Sequence, residues 1–130
     1  MDRKEVLMIE VPVSNGELLD KLSILEVKQQ NGISEVEDEI DLLLEIVENQ
    51  DWWSIPHVWI YYRMLCTLNS EIWEVEDRKR EHEQEKDFGD EFIELSRCVY
   101  IINDERARLK KLINKYTDSK LLEHKQHRSY

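Results

Sequence analysis

A handful of polar residues stand where a helical reading of this 130-residue chain expects apolar ones. With each helical residue advancing 100° around the axis, Glu26 falls between Leu19 and Leu22. Asn69 and Glu76, seven residues apart, project beside Val58 and Leu65, with Trp73 and Arg80 on the same edge. Asn103, Arg106, Lys110 and Asn114 form a polar strip directly flanking an apolar one. Burying such groups unpaired costs several kcal/mol each, so they must meet one another, water or a ligand. Two readings follow. In one, Glu26, Asn69, Glu76, Asn103 and Arg106 form an internal network that fixes helix register. In the other, they line an inter-helix pocket in which Arg106 and Lys110 hold a small anion, while the carboxylates hold a metal, a cationic group or a proton. The candidate ligand-binding residues are therefore Glu26, Asn69, Trp73, Glu76, Asn103, Arg106 and Lys110.

Catalytic constellations are harder to find. Glu71, Glu74 and Asp77 recur every three residues, and Glu91 and Glu94 repeat the spacing. Carboxylates on facing helices can bind Mg²⁺ or Mn²⁺, but Glu71, Glu74 and Asp77 project away from the apolar stripe. No Glu-x-x-His pair of the diiron bundles occurs, and His57, His82, His124 and His127 are scattered. No metal ligand set or cofactor can be named. Cys66 and Cys98 lack a recognisable His partner and fall in apolar stretches, where a thiol is expected to be buried and inert. Asp87-Phe88-Gly89 spells the kinase metal-binding triplet without a glycine-rich loop, strand lysine or catalytic loop, and carries no weight.

Trp52, Trp53, Trp59, Tyr61 and Tyr62 cluster within eleven residues. They cannot all point into one core. Either they seal one end of the fold, or Trp52, Trp53, Trp59 and Tyr62 form a patch for a partner or a second copy.

The elements that must position these residues are helices. Three glycines and two prolines are too few for a sandwich or barrel. Glu5 to Val13 reads as an extended segment, a short strand or a strap, closed by Pro12. Ser14-Asn-Gly-Glu17 is a capping box opening a first helix, which Asn31-Gly32 stops near Gln30. Ser34-Glu-Val-Glu37 is a second capping box, for a helix reaching Asn49 with Val36, Ile40, Leu43 and Val47 on one stripe. Pro56 fits the first turn of a third helix that extends past Arg80, with Val58, Tyr61, Leu65, Leu68, Ile72 and Val75 on one side. A fourth helix spans about Asp90 to Tyr116, burying Leu95, Val99, Ile102, Leu109, Ile113 and Tyr116. One short helical turn is expected around Leu121 and Leu122, within a polar tail over 117–130. The expectation is an all-α, antiparallel bundle of about four helices: one domain over 1–130, with an extended N-terminal segment and a polar tail.

The formal charge of −11 argues against direct nucleic-acid binding, because Lys and Arg neutralising phosphate supply most non-specific affinity. It also disfavours an anionic membrane surface. The charge is uneven. From Gln29 to Tyr62 there are eight acids and no Lys or Arg, whereas from Arg106 to Tyr130 eight basic side chains oppose Asp118 and Glu123. These segments are expected to face one another within the fold or a dimer, or to mark a partner surface. With no leader and no run of eighteen apolar residues, the chain is expected to be cytoplasmic.

Three stretches together resemble a known family: Val11-Pro-Val-Ser-Asn-Gly-Glu-Leu-Leu-Asp-Lys-Leu-Ser-Ile-Leu-Glu-Val-Lys28, Asn69-Ser-Glu-Ile-Trp-Glu-Val-Glu-Asp77 and Phe92-Ile-Glu-Leu-Ser-Arg-Cys-Val-Tyr-Ile-Ile-Asn-Asp-Glu-Arg-Ala107. This resembles a small bacterial and phage family of about this length, classed as a domain of unknown function. The resemblance implies no reaction. It does imply that Ser14, Glu17, Asp20, Lys21, Glu26, Asn69, Trp73, Glu76, Asp77, Asn103, Asp104 and Arg106 are motif positions. The chain departs from the pattern at Ser96 and Cys98, and in the tail, where Gln126-His127-Arg128 precede Ser129-Tyr130. The leading expectation is a helical binding or interaction protein, a homo-oligomer or partner of another protein, that takes a small anionic ligand between its helices. The alternatives are a small metal-dependent hydrolase of nucleotides or sugar phosphates and an acidic phage inhibitor of a host protein.

Overall fold

The computed structural model describes residues 8–122, and the protein is all-α over them. Four helices carry the fold: α1 (Asn15–Gln30), α2 (Glu37–Glu48), α3 (Pro56–Glu85) and α4 (Asp90–Tyr116). Short 3₁₀ turns at Ser34–Val36 and Asp51–Ser54 lead into α2 and α3.

Helix boundaries follow local chemistry. The Ser14 hydroxyl accepts the Glu17 amide at 3.1 Å and starts α1. Gly32, at φ +89°, occupies the left-handed position that ends it. Pro56 enters α3 at its first turn. Lys86, also left-handed at φ 56°, turns α3 back into α4. The expected second capping box is not formed. Ser34 opens the 3₁₀ turn, so the Glu37 amide bonds the Ser34 backbone carbonyl, and no side chain caps α2.

The core gathers Leu19, Leu22 and Leu25 of α1, Ile40 and Val47 of α2, Val58, Tyr62 and Leu65 of α3, and Leu109 and Ile113 of α4. α3 and α4 run antiparallel, with His57 stacked on Tyr116 at one end and His82 between Asp87 and Glu91 at the other. Fully buried residues of α3 stop at Asn69, and those of α4 begin at Ala107. Beyond that level the pair continues as a two-helix arm of about 24 Å, seamed by half-buried Ile72, Val75, Phe92, Leu95, Val99 and Ile102.

Several expectations need correction. Tyr116 is 44% exposed at the end of α4, where His57 stacks on its ring and Tyr61 lies beside it. Met8, Ile9, Val11 and Val13 are exposed, so the extended segment is neither a strand nor a strap over residues 8–13; residues 5–7 lie outside the described residues. Leu121 and Leu122 form no helical turn, and residues 123–130 of the tail lie outside the described residues. Among the described residues the acidic α2 packs on α1 and the 3₁₀ turns but not on α4, so α2 does not face the basic part of α4. Among the described residues no helix is long and apolar enough to cross a membrane.

Candidate functional site

α1 is joined to α4 by a ladder of polar contacts that climbs one helix while descending the other. The Asn15 amide N–H donates to Ser119 Oγ at 3.0 Å, and Asn15 Nδ2 donates to Thr117 Oγ1 at 2.9 Å. One residue on, the Gly16 amide donates to Asn114 Oδ1 at 2.7 Å. A Cβ on Gly16 would lie 2.5 Å from the Lys110 carbonyl oxygen, so only glycine lets the helices approach this closely. Lys110 Nζ reaches Glu17 Oε2 at 2.6 Å, which draws Glu17 away from the reciprocal half of its capping box.

The last rung is the buried carboxylate of Asp20, whose residue is 3% exposed. Its two oxygens accept from Arg106 Nη2 at 2.7 Å and Nε at 3.3 Å, the fork that suits guanidinium to carboxylate. Asn69 Nδ2 donates to Asp20 Oδ1 at 3.3 Å and to Ser23 Oγ at 2.7 Å, while the Ser23 hydroxyl donates to the Asp20 carbonyl at 2.6 Å. Arg106 Nη1 donates in turn to Asn103 Oδ1 at 2.9 Å. Asp20 thus ties α1, α3 and α4 together where the core ends and the arm begins.

Above this hub lies a cavity of about 290 Å³. Ile24 and Val27 of α1 and Ile72 and Trp73 of α3 supply apolar walls. Lys28, Asn69, Glu76, Asp77, Arg80 and Arg106 supply the polar groups. Among the described residues Lys28, Arg80 and Asp77 take part in no ion pair, and Glu76 only approaches Lys79 at 4.0 Å. The cavity is therefore bordered by charges that the fold does not neutralise.

The structure divides the expected five-residue network. Asn69, Arg106 and Asn103 join through Asp20; Asn69, Trp73, Glu76 and Arg106 line the cavity. Asn103 and Lys110 do not line it: Asn103 is exposed beside Arg106, and Lys110 is held by Glu17. Glu26 faces another way, accepting from Cys66 Sγ at 3.7 Å beside Tyr62. Burial chiefly, with the Glu26 carboxylate adding to it, pushes the Cys66 thiol up to about 11. Burial likewise raises the Tyr62 phenol above its ordinary value, with Cys66 and Glu26 contributing. A thiol held protonated in this way is a poor nucleophile. Among the described residues no group of three His, Cys, Asp or Glu side chains is placed to hold a metal ion.

At the aromatic corner, Tyr62 is 3% exposed and belongs to the core, so it is unavailable to a partner. Trp52 and Trp53 are half-buried against that core, Trp53 meeting Tyr62 edge-on at 5.7 Å. Trp59 is 50% exposed, with Arg63 over its ring at 5.9 Å. Projection puts Arg80 on the edge of Trp73 without marking it as a ligand contact, and gives no sign of Lys28. It also passed over the roles of Gly16, Asp20 and Ser23. Asp20 directly follows the core residue Leu19, and that adjacency was the available signal.

Fold and site define a class: a four-helix protein with a long hairpin arm, and a charged cavity where the arm leaves the core. The chain belongs to the family of unknown function DUF6165, whose model matches residues 9–129. No curated protein and no solved structure matches it.

Proposed function

We propose that this protein is a binding protein whose ligand is a small molecule with an anionic group, held in the cavity between α1, α3 and α4. The observation that carries the reading is the pairing, in one cavity of about 290 Å³, of un-neutralised Lys28 and Arg80 with the indole of Trp73 and an aliphatic wall. Ligand sites combine such apolar walls with a few placed polar groups, and the volume suits a metabolite rather than a macromolecule. The hub beneath supports the same reading, since Asp20 fixes Arg106 and Asn69 from the side away from the cavity, as a supporting layer of hydrogen bonds does for ligand-contacting groups.

Titration of isotope-labelled protein with a panel of carboxylic acids and phosphate monoesters tests this. The expected result is saturable shifts at the Trp73 indole and Arg80 signals, and a loss of affinity of about tenfold or more in Arg80→Ala, the size of losing one charge-assisted hydrogen bond. Shifts that spare Trp73 and Arg80, or affinity unchanged in both Arg80→Ala and Trp73→Ala, would overturn it.

A further inference from the structure

We infer that the ligand of this cavity is a zwitterion of amino-acid type, its acid group taken by Lys28 and Arg80 and its ammonium group by Glu76 and Asp77. The inference rests on the anion-binding reading above and adds the second charge.

Asn69, Trp73, Glu76 and Arg80 follow one another along α3 at steps of four, three and four residues, so they share one helix face. Asp77 widens that face beside Glu76. Read from the hub outward, the face presents an amide, an indole, two carboxylates and a guanidinium. Lys28, in the last turn of α1, adds a second cation across the cavity. Acid and base thus stand one helical turn apart, about 6 Å along the axis. Extended side chains can close that gap to the separation between the ammonium and carboxylate of one amino acid. A purely anionic ligand would leave two carboxylates facing it, and a like charge brought that close opposes binding. An ammonium group turns the same two carboxylates into acceptors.

The inner end of the cavity constrains the rest of the ligand. Asp20 Oδ1 can only accept, so the group of Asn69 turned toward it is the NH₂. The Ser23 hydroxyl already gives its proton to the Asp20 carbonyl, so its oxygen takes the second N–H of Asn69. Both donors of Asn69 are committed, and what it has left for the cavity is the acceptor Oδ1. A ligand that runs from Arg80 past Trp73 therefore ends in an O–H or N–H donor.

Two probe sets separate the possibilities: tyrosine with 3-(4-hydroxyphenyl)propionate and tyramine, and lysine with 6-aminohexanoate and cadaverine. Each set holds the full amino acid, the form without the α-amino group and the form without the carboxylate. By calorimetry and by the Trp73 signal, the amino acid of at least one set is expected to bind about tenfold tighter than both of its partners. In Glu76→Gln/Asp77→Asn the preference over the deaminated form is expected to vanish while the acid still binds. In Arg80→Ala the carboxylate is expected to lose its contribution. If the deaminated form binds as tightly as the amino acid, the zwitterion assignment falls and the anion site stands. If an amine without a carboxylate binds as well as the amino acid, both readings fall; if none of the six compounds binds, the zwitterion assignment falls and the anion site is decided by the titration above. A circular dichroism spectrum of each variant guards against misfolding, and Glu81→Gln/Glu85→Gln, on the same helix outside the cavity, serves as the charge-matched control.

Discussion

At the scale of single residues, the side chains that interrupt the apolar stripes divide into a hub, a cavity lining and one isolated cluster. The cluster of Glu26, Tyr62 and Cys66 has a consequence for pH. The Cys66 thiol is raised from its ordinary 9.0 to about 11, chiefly by burial. Between those values the folded chain keeps a proton that the unfolded chain has lost, so stability falls as pH rises from about 9 through about 11. Tyr62, raised from its ordinary 10.0, adds to the loss at the upper end. The urea midpoint measured across that range should therefore drop less steeply in Cys66→Ala than in the parent chain. Parallel curves would remove the thiol from the account. Much of this level was legible beforehand. Asn69, Trp73, Glu76 and Arg106 stand out in projection because a polar group on an apolar stripe needs a reason. Arg80 falls on the same edge as Trp73 in projection, whereas Lys28 gave no such sign, since a charged side chain near a helix end ordinarily faces water. Nor did projection reveal that Asp20 would join three helices, because the angle of α1 across α3 and α4 is set by tertiary packing.

At the scale of elements, the contact of α1 with α4 depends on one missing side chain. Gly16→Ala would gain helix propensity of up to about 1 kcal/mol, yet its Cβ would meet the Lys110 backbone carbonyl, which cannot rotate aside. The clash should win, lowering stability by about 1–3 kcal/mol as overpacking does elsewhere. Chemical denaturation measures it, and an alanine variant as stable as the parent would mean that α1 is free to shift. The effect should reach Asp20 and the cavity, which lie on the next rungs. Helix limits at this scale were readable from Ser14, Gly32 and Pro56, each a local signal. The start of α2 was not, because Ser34 suits a capping box and a 3₁₀ turn equally well and only the path of the chain decides between them. Tyr116 likewise keeps the period of the α4 stripe but runs past the packed part of the core.

At the scale of the whole molecule, the net charge of −11 leaves most of the α2 carboxylates without a basic partner among the described residues. Glu35, Glu37, Asp38, Asp41 and Glu45 are exposed, and Lys21 pairs with Glu39 at 3.2 Å between two exposed side chains. Mutual repulsion on that face is open to screening, whereas the buried Asp20–Arg106 pair is sheltered from it. Raising NaCl from about 0.05 M to about 0.5 M should therefore raise the melting temperature by about 2–5 °C. A fall in melting temperature would place the dominant charge interactions among attractive surface pairs instead. The sequence pattern disclosed the asymmetry of charge but not its disposition, since facing segments and separated ones have the same composition.

The ladder between α1 and α4 also determines how the molecule responds to tension. Because the two helices run in opposite senses, the chain enters at Asn15 and leaves at Ser119 on the same side of the fold, within one hydrogen bond of each other. A pull on the two ends loads the rungs in sequence: Asn15–Ser119, Gly16–Asn114, Glu17–Lys110 and then Asp20–Arg106. Contacts loaded one after another peel like a zipper, whereas contacts loaded together resist as shear. The molecule is thus built to yield to small forces at its ends, and the last rung to part is the one that holds the floor of the cavity.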